Sequence, residues 1–569
     1  MANYNVALIL KNPLNDSEFL LVKQTPPPKF NDEEYDSYVD SDLWDLPAIK
    51  LNHIQGEKSE PTISIQGSEK INLGKFDIES ALNQILEQLG FGVRDGGEWK
   101  LWKCVEEPEF GPGLTIHTVY IMGKLLDGNQ ILQEGCKWMS TQSCINCLAE
   151  VKPSTDRVGP LVVIGLLNDL VQWRKWKVLP TLSYQEYPPG VILVPMQSRT
   201  AKPFLTTNLI VFAPDSVSDD CGNHRFVAQG EALIVDPGCR SEFHEETPDC
   251  GLNMSIVVIM ASISVLKLIT LHLLDQLLKV VASLPRKLIV FVTHHHRDHV
   301  DGLSIIQKCN PDAILLAHEN TMRRIGKDDW SLGYTSVSGS EDICVGGQRL
   351  TVVFSPGHTD GHVALLHAST NSLIVGDHCV GQGSAVLDIT AGGNMTDYFQ
   401  STYKFLELSP HALIPMHGRV NLWPKHMLCG YLKNRRAREA AILQAIENGV
   451  ETLFDIVANV YSEVPRSFWI PAASNVRLHV DHLADQNKLP KGFSLESFNS
   501  SLVEFDDKEF SILKFRKTCG LHFLLRWAWT YLRFQVRYQK LSMSKLLIGG
   551  AAVAGFAVFF SIRNKLISQ

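Results

Sequence analysis

A chain of 569 residues is too long for one hydrophobic core, so three or four units are expected. With 45% apolar and 20% charged residues it reads as ordinary globular material, which excludes a fibrous or wholly disordered chain. A formal charge of -8 excludes broad electrostatic attraction to nucleic acid and leaves only a local basic groove open. The twelve cysteines are scattered. Met1 to Asn5 lacks a basic leader, and the polar run Asn12 to Glu18 interrupts any apolar signal core, so reduced thiols in the cytosol are expected.

Val6 to Leu10 and Phe19 to Lys23 read as a hairpin across Asn12-Pro13-Leu14-Asn15-Asp16. Trp44-Asp45-Leu46-Pro47 precedes another extended run, and Ser80 to Phe91 reads as a helix with its stop at Gly90. This order resembles a Nudix-type α+β domain, whose motif helix ends R-E-x-x-E-E-x-G. The matching positions are Asn83, Gln84, Glu87, Gln88 and Gly90. Most of the carboxylates that a pyrophosphate–Mg²⁺ site requires are therefore missing. The unit 1–182 is expected to be Nudix-like in shape and catalytically inactive, serving substrate selection, assembly or packing. Cys144-Ile145-Asn146-Cys147 is a lone C-x-x-C pair, too little for a zinc site by itself.

Thr207 to Val211 and Leu233-Ile234-Val235 read as strands, the second running into Asp236-Pro237-Gly238. The apolar stretch 254–268 fits no element; a membrane span there would divide one site across a bilayer, so it is read as an insertion or a gene-model error. Lys287 to Val292 is another apolar run, closed by Thr293-His294-His295-His296-Arg297-Asp298-His299. Alternate residues of an extended segment point the same way, so His294 and His296 share a side. Asp298 and His299 follow where the chain turns into the helix-like Leu303 to Lys308. One loop thus presents two imidazoles to one metal ion and a carboxylate plus an imidazole to a second. Such ligands suit zinc best, with iron and manganese behind.

The same grammar recurs three times. Leu350 to Phe354 leads into Pro356-Gly357-His358-Thr359-Asp360-Gly361-His362; Ser372 to Val375 into Gly376-Asp377; Ala412 to Met416 into His417-Gly418. Each apolar run ends in a glycine beside a candidate ligand, as expected where strand ends deliver functional groups.

From Pro188 to Trp423 the sequence resembles the metallo-β-lactamase superfamily of hydrolases. The resemblance implies an αββα sandwich with the metals at one edge of its sheets. It implies that His294, His296 and His358 hold one Zn²⁺, that Asp298, His299 and His417 hold a second, and that Asp377 bridges them. Asp236 is read as a structural turn residue near the site and His362 as a support for the ligands; His295, His318, His367 and His378 are expected to play structural parts. Two cations sharing a water make hydroxide available at neutral pH and polarise a scissile carbonyl or phosphoryl oxygen. Asp298 is the catalytic residue in this reading, orienting the attacking oxygen.

Leu432 to Asn448, Thr452 to Tyr461 and Val476 to Leu483 have helical spacing. The succession resembles the small winged-helix-like domain of the β-lactamase-like protein 2 subfamily, some of whose members are associated with single-stranded RNA cleavage and others with thioesterase-like chemistry. Lys433, Arg435, Arg436 and Arg438 are candidates for facing a phosphodiester backbone or, alternatively, a solvated helix face. His479 and His482 are read as helix-packing residues. The uncharged run Leu546 to Ile562, between Lys545 and Arg563, is expected to be a C-terminal transmembrane helix, a tail anchor facing the cytosol and suited to an organelle outer membrane.

The expected domains are 1–182, 185–425 for the hydrolase, 430–500 for the winged-helix-like part, and 505–569 for a membrane-proximal segment with its span at 546–562. The expected function is a binuclear zinc-dependent hydrolase acting on single-stranded RNA. A thioester or carboxylic ester hydrolase of glyoxalase-II type, with an acyl thioester substrate, is the first alternative. A membrane-anchored binding protein with a vestigial metal site is the second.

Overall fold

The computed structural model of the protein describes residues 3–54, 75–91, 98–124, 132–152, 156–200, 203–214, 225–239, 276–464, 469–495 and 498. The apolar stretch 254–268 lies outside them. Among the described residues no helix is long and apolar enough to cross a membrane, and the expected span 546–562 lies outside them. The expectation of a membrane-anchored, cytosol-facing protein is therefore corrected: it rested on an uncharged C-terminal run between Lys545 and Arg563, and among the described residues no membrane-spanning helix supports it.

The chain divides into two compact units, residues 1–385 with 396–433, and 386–395 with 434–569. The first holds three sheets. The N-terminal sheet contains β1 (Asn3–Lys11), β2 (Glu18–Gln24), β3 (Leu43–Asp45), β4 (Ala48–Lys50), β5 (Glu98–Glu106), β6 (Ile116–Lys124), β7 (Cys136–Ser140) and β8 (Arg157–Val158). Its main path runs β5-β6-β1-β2-β3-β8, with β4 added to β1 and β7 to β2. The hairpin expected at the start is present, with Lys11 opposite Phe19. Alternation along β1 sends Val6, Leu8 and Leu10 to one face, against helix Ile78–Gln88, and Ala7 and Ile9 to the other. Glu87 is exposed on that helix, while Ala81, Leu82, Ile85 and Leu86 are buried.

The next strands are β9 (Gln185–Glu186), β10 (Val191–Gln197), β11 (Thr206–Phe212), β12 (Ala228–Gly230), β13 (Ala232–Val235), β14 (Leu288–Phe291), β15 (Ile314–Ala317), β16 (Tyr334–Ser336), β17 (Asp342–Val345), β18 (Gln348–Phe354), β19 (Val363–His367), β20 (Ser372–Gly376) and β21 (Ala412–Pro415). They form two sheets, ordered β16-β15-β14-β13-β11-β10-β9 and β12-β17-β18-β19-β20-β21. Leu209, Val211, Ile234, Leu288 and Val290 turn outward onto Leu277, Val280, Val281 and Ile306. Ile210, Phe212, Leu233, Val235, Ile289 and Phe291 turn inward onto Leu350, Val352, Leu365 and Ile374 of the second sheet. Helix Met395–Leu408 covers that sheet's outer side, where Tyr398 stacks on His378 and Thr402 bonds to it. The layers are therefore helix, sheet, sheet, helix.

Strands β18 and β20 both pair antiparallel with β19, and β21 runs parallel to β20. The carboxyl ends of β18, β20 and β21 consequently share one edge, where their loops emerge. Trp176 and Leu182 belong to the core beneath β10 and β11, so chain just before residue 185 already packs within the hydrolase layers.

In the second unit, helix Leu453–Val460 and helix Trp469–Asp485 pack through Ile456, Val457, Val476 and Val480. The helix expected from Leu432 is longer, Pro424–Glu447, because Pro424 can occupy a first turn and Asp40 accepts from the backbone N–H groups of Lys425 and His426. Arg435 is buried, and Arg438 donates to the Val460 carbonyl and lies over the Tyr461 ring, so neither offers a free face to phosphate. Lys433 and Arg436 are exposed. His479 is buried against Glu439, with His482 close to the same carboxylate, in keeping with packing roles.

Candidate metal centre

Four loops bring seven predicted ligands together. The loop after β14 supplies His294, His296, Asp298 and His299. The loop after β18 supplies His358, the end of β20 supplies Asp377, and the end of β21 supplies His417. The side chains fall into two groups. In the first, His294 Nε2 lies 3.0 Å from His296 Nδ1, and His358 Nε2 lies 3.3 and 3.1 Å from those atoms. Three nitrogens on a tetrahedral zinc at its usual bond length are about 3.3 Å apart, so this triangle has the size of a zinc face. In the second, His417 Nε2 is 3.3 Å from Asp298 Oδ2, and His299 Nε2 is 3.7 Å from Asp298 Oδ1. Asp377 faces both: Oδ2 is 4.0 Å from His294 and 3.9 Å from His358, while Oδ1 is 3.5 Å from His299 and 3.4 Å from His417.

For His294, His299 and His417 the far side of the ring fixes which nitrogen faces the centre. The Thr293 hydroxyl donates to Asp236 Oδ2 at 2.6 Å, which leaves its lone pair to accept from His294 Nδ1 at 3.0 Å and His294 Nε2 without a proton. His299 Nδ1 donates to Asp236 at 2.8 Å, and His417 Nδ1 to the Thr206 carbonyl at 2.9 Å. Each leaves Nε2 directed at the centre, the arrangement by which buried carboxylates and carbonyls orient ligands. His299 Nε2 and Asp377 Oδ1 are buried without a well-formed hydrogen bond. Buried polar atoms are rarely left so, and a cation would complete both. The residues present therefore fit a metal.

The charges separate the groups. Burial, reinforced by the facing His299, His296 and His358, holds His294 well below its ordinary value, so it is neutral. Burial also pushes His417 down, but Asp377 and Asp298 outweigh it and raise it to about 10. His299 is likewise held well above its ordinary value, against burial, by Asp377, Asp298 and Asp236. Burial favours protonation of Asp298 and Asp377, yet His299 and His417 keep both below the usual carboxylate range. Protons on the second group occupy the role that cations would take.

Asp236 does more than turn the chain. It is fully buried, has a left-handed backbone with φ 48°, and also accepts from the Thr293 N–H at 2.7 Å. Its sequence signal is the grammar already noted, an apolar run ending in Asp-Pro-Gly. Thr293 and Thr206 carry no such signal. Gly238 lies so close beneath the metal loop that a Cβ would meet the Asp298 carbonyl at 1.5 Å. His362 supports Asp377: its Nδ1 faces Ser355 and its Nε2 accepts from the Asp377 N–H at 3.2 Å, consistent with a value pushed down to about 3, chiefly by burial. His318 caps helix Glu319–Met322, and His367 lies buried between Gln348 and Thr370. Among the described residues, no group able to hold a metal includes Cys144 or Cys147.

Residues 226–417 match the Metallo-beta-lactamase superfamily, and residues 452–491 match the Beta-lactamase associated winged helix domain. A Beta-lactamase-like protein 2 homolog of Drosophila melanogaster is 30% identical over 230 residues, which are 38% of this chain and 74% of the fly protein. The homolog of Caenorhabditis elegans is 28% identical over 192 residues, 33% of this chain and 62% of the worm protein. A metallo-beta-lactamase family protein of Thermus thermophilus aligns with 52% of this chain and 94% of its own, at 18% identity and a TM-score of 0.38. The chain belongs to the metallo-beta-lactamase superfamily, within its beta-lactamase-like protein 2 group, and is a metal-dependent hydrolase.

Proposed function

We propose that the protein is a binuclear zinc hydrolase that cleaves single-stranded RNA. The observation carrying the two-cation reading is Asp377, whose two oxygens face different ligand groups at 3.4–4.0 Å. His294, His296 and His358 would hold one Zn²⁺, and Asp298, His299 and His417 the other. Zinc, when bound, supplies Lewis acidity toward the scissile oxygen and lowers the pKa of water toward neutrality. Asp298, held below the usual carboxylate range, is ionised at neutral pH. It orients the attacking water and accepts its proton as the water oxygen bonds to phosphorus and the bond to the leaving oxygen breaks, the leaving oxygen taking a proton from solvent. His362 fixes the Asp377 backbone, and Asp236 keeps His299 turned to the centre.

The RNA assignment is supported by membership of the beta-lactamase-like protein 2 group together with the winged-helix domain. In the same reading the N-terminal layer is Nudix-like in shape and inactive, since the exposed Glu87 has no second acid at the neighbouring motif positions. The test is purified protein of measured zinc content, assayed on single-stranded RNA and on an acyl thioester beside Asp298→Ala. Zinc-dependent RNA cleavage lost in Asp298→Ala, with an unchanged melting temperature, is expected. Thioester hydrolysis alone would overturn the RNA assignment, and normal turnover by Asp298→Ala would overturn the catalytic one.

A further inference from the structure

We infer that the N-terminal layer is a working part of the metal centre: Glu107 and Arg157 are positioning residues for the His417 loop. The inference rests on the reading that Asp298, His299 and His417 hold a metal.

Three connections converge on that loop. Arg157, only 5% exposed, donates one terminal nitrogen to the carbonyls of both His411 and Leu422, the first at 2.9 Å, and the other to the Ser41 carbonyl at 2.7 Å. His411 and Leu422 flank the segment that carries His417, so one guanidinium pins both ends to the N-terminal layer. Within the segment, Arg419 pairs with Glu107 at 2.6 Å and donates to the Leu114 carbonyl at 3.1 Å. The third connection reaches the ligand from its other side. Thr206, whose carbonyl accepts from His417 Nδ1, gives its hydroxyl to the Glu109 carbonyl at 3.3 Å. Phe204, its ring 5.6 Å from that of His417, lies against Gly111, where a Cβ would come within 2.8 Å of it.

The stretch Glu107 to Leu114 therefore touches the residue two places beyond His417, the side chain of the residue whose carbonyl holds its far nitrogen, and the ring beside it. An arginine fork bound to a carboxylate and to carbonyls fixes geometry as well as adding energy. For His294 the corresponding supports, Thr293 and Asp236, come from the hydrolase layers themselves. The N-terminal layer thus has a task in the neighbouring site, and it acts on one half of that site.

Zn²⁺ binding to the full-length protein, followed by competition with a chromophoric chelator, tests this. Wild type is expected to take up two equivalents. Glu107→Gln should weaken one of the two affinities about ten-fold and leave the other unchanged, the size usual for losing an outer support of a metal ligand. Arg157→Lys, which keeps the charge but loses the fork, should act in the same direction. Glu107→Gln combined with Arg419→Gln should be no weaker than Arg419→Gln alone, since that variant already removes the pair with Glu107 together with the bond to the Leu114 carbonyl. Glu107→Asp should recover part of the affinity, and it carries the comparison if Glu107→Gln fails to fold. Asp169→Asn, which breaks the Lys103–Asp169 pair inside the same layer, should leave both affinities at wild-type values. Two wild-type affinities in Glu107→Gln and Arg157→Lys would overturn the inference while leaving the metal assignment standing. A wild-type protein that binds no Zn²⁺ would overturn the assignment itself.

Discussion

The two halves of the metal centre are built differently. The first is three imidazoles, His294, His296 and His358, with a support for His294 that reaches only to Thr293 and Asp236. The second mixes Asp298 with His299 and His417, and its supports extend through Thr206 and Arg419 into the N-terminal layer. In the first half His294 is neutral before metal binding; the second half carries opposed charges that hold each other ionised. The contrast teaches that a short motif can carry four of the ligands while another, His417, is held by contacts to chain two hundred residues away or more.

The sharpest way to break the comparison is to remove a ligand from each half. His296→Ala and His417→Ala should both reduce turnover to background. Each should keep one equivalent of zinc by elemental analysis, and loss of both ions from either variant would mean that the halves are not separable. A smaller but large effect is expected at Gly238, where an added Cβ has no space beneath Asp298. Gly238→Ala should cost about 1–3 kcal/mol by denaturant titration, the usual range for overpacking, and should lower activity beyond that loss. Asp236→Asn keeps the shape but weakens the hold on His299, so zinc affinity should fall about ten- to one hundred-fold.

The charge difference gives a prediction in pH. His417, raised from 6.5 to about 10, is protonated in the metal-free protein at pH 7, so zinc entering the second half must displace a proton. Its affinity should therefore rise with pH until about 10, whereas His294, already neutral, gives up no proton near neutrality. Proton release measured during zinc titration in weak buffer separates the two steps. The same sign governs the metal-free fold: the contribution of charged His417 is complete below 6.5 and fades as pH rises through about 10. The smallest effect is expected at the exposed Glu87, where Glu87→Ala should change neither metal affinity nor stability beyond about 0.5 kcal/mol.

Much of the site was legible because its geometry is local. The two-residue spacing of His294 and His296 follows from an extended chain, and the repeated ending of apolar runs in glycine marks the edge where β14, β18, β20 and β21 release their loops. The sandwich was legible for the same reason, since alternation assigns Ile210 and Val211 to opposite faces. What could not be read depends on contacts between segments distant in sequence. Nothing near Thr206 announces that its carbonyl holds His417, and nothing near Arg157 announces its partners at His411 and Leu422. The basic run at 433–438 reads as a phosphate-facing surface or a solvated helix face, yet Arg435 is buried and Arg438 bonds to Val460 and lies over Tyr461. Charge alone does not reveal which side of a helix is covered.

The most direct test of a shared, two-cation centre is anomalous diffraction at the zinc edge from crystals of the zinc-loaded protein. Two peaks are predicted, one among His294, His296 and His358 and one among Asp298, His299 and His417, with the Asp377 carboxylate between them. A single peak, or a pair that leaves Asp377 uncoordinated, would contradict the account.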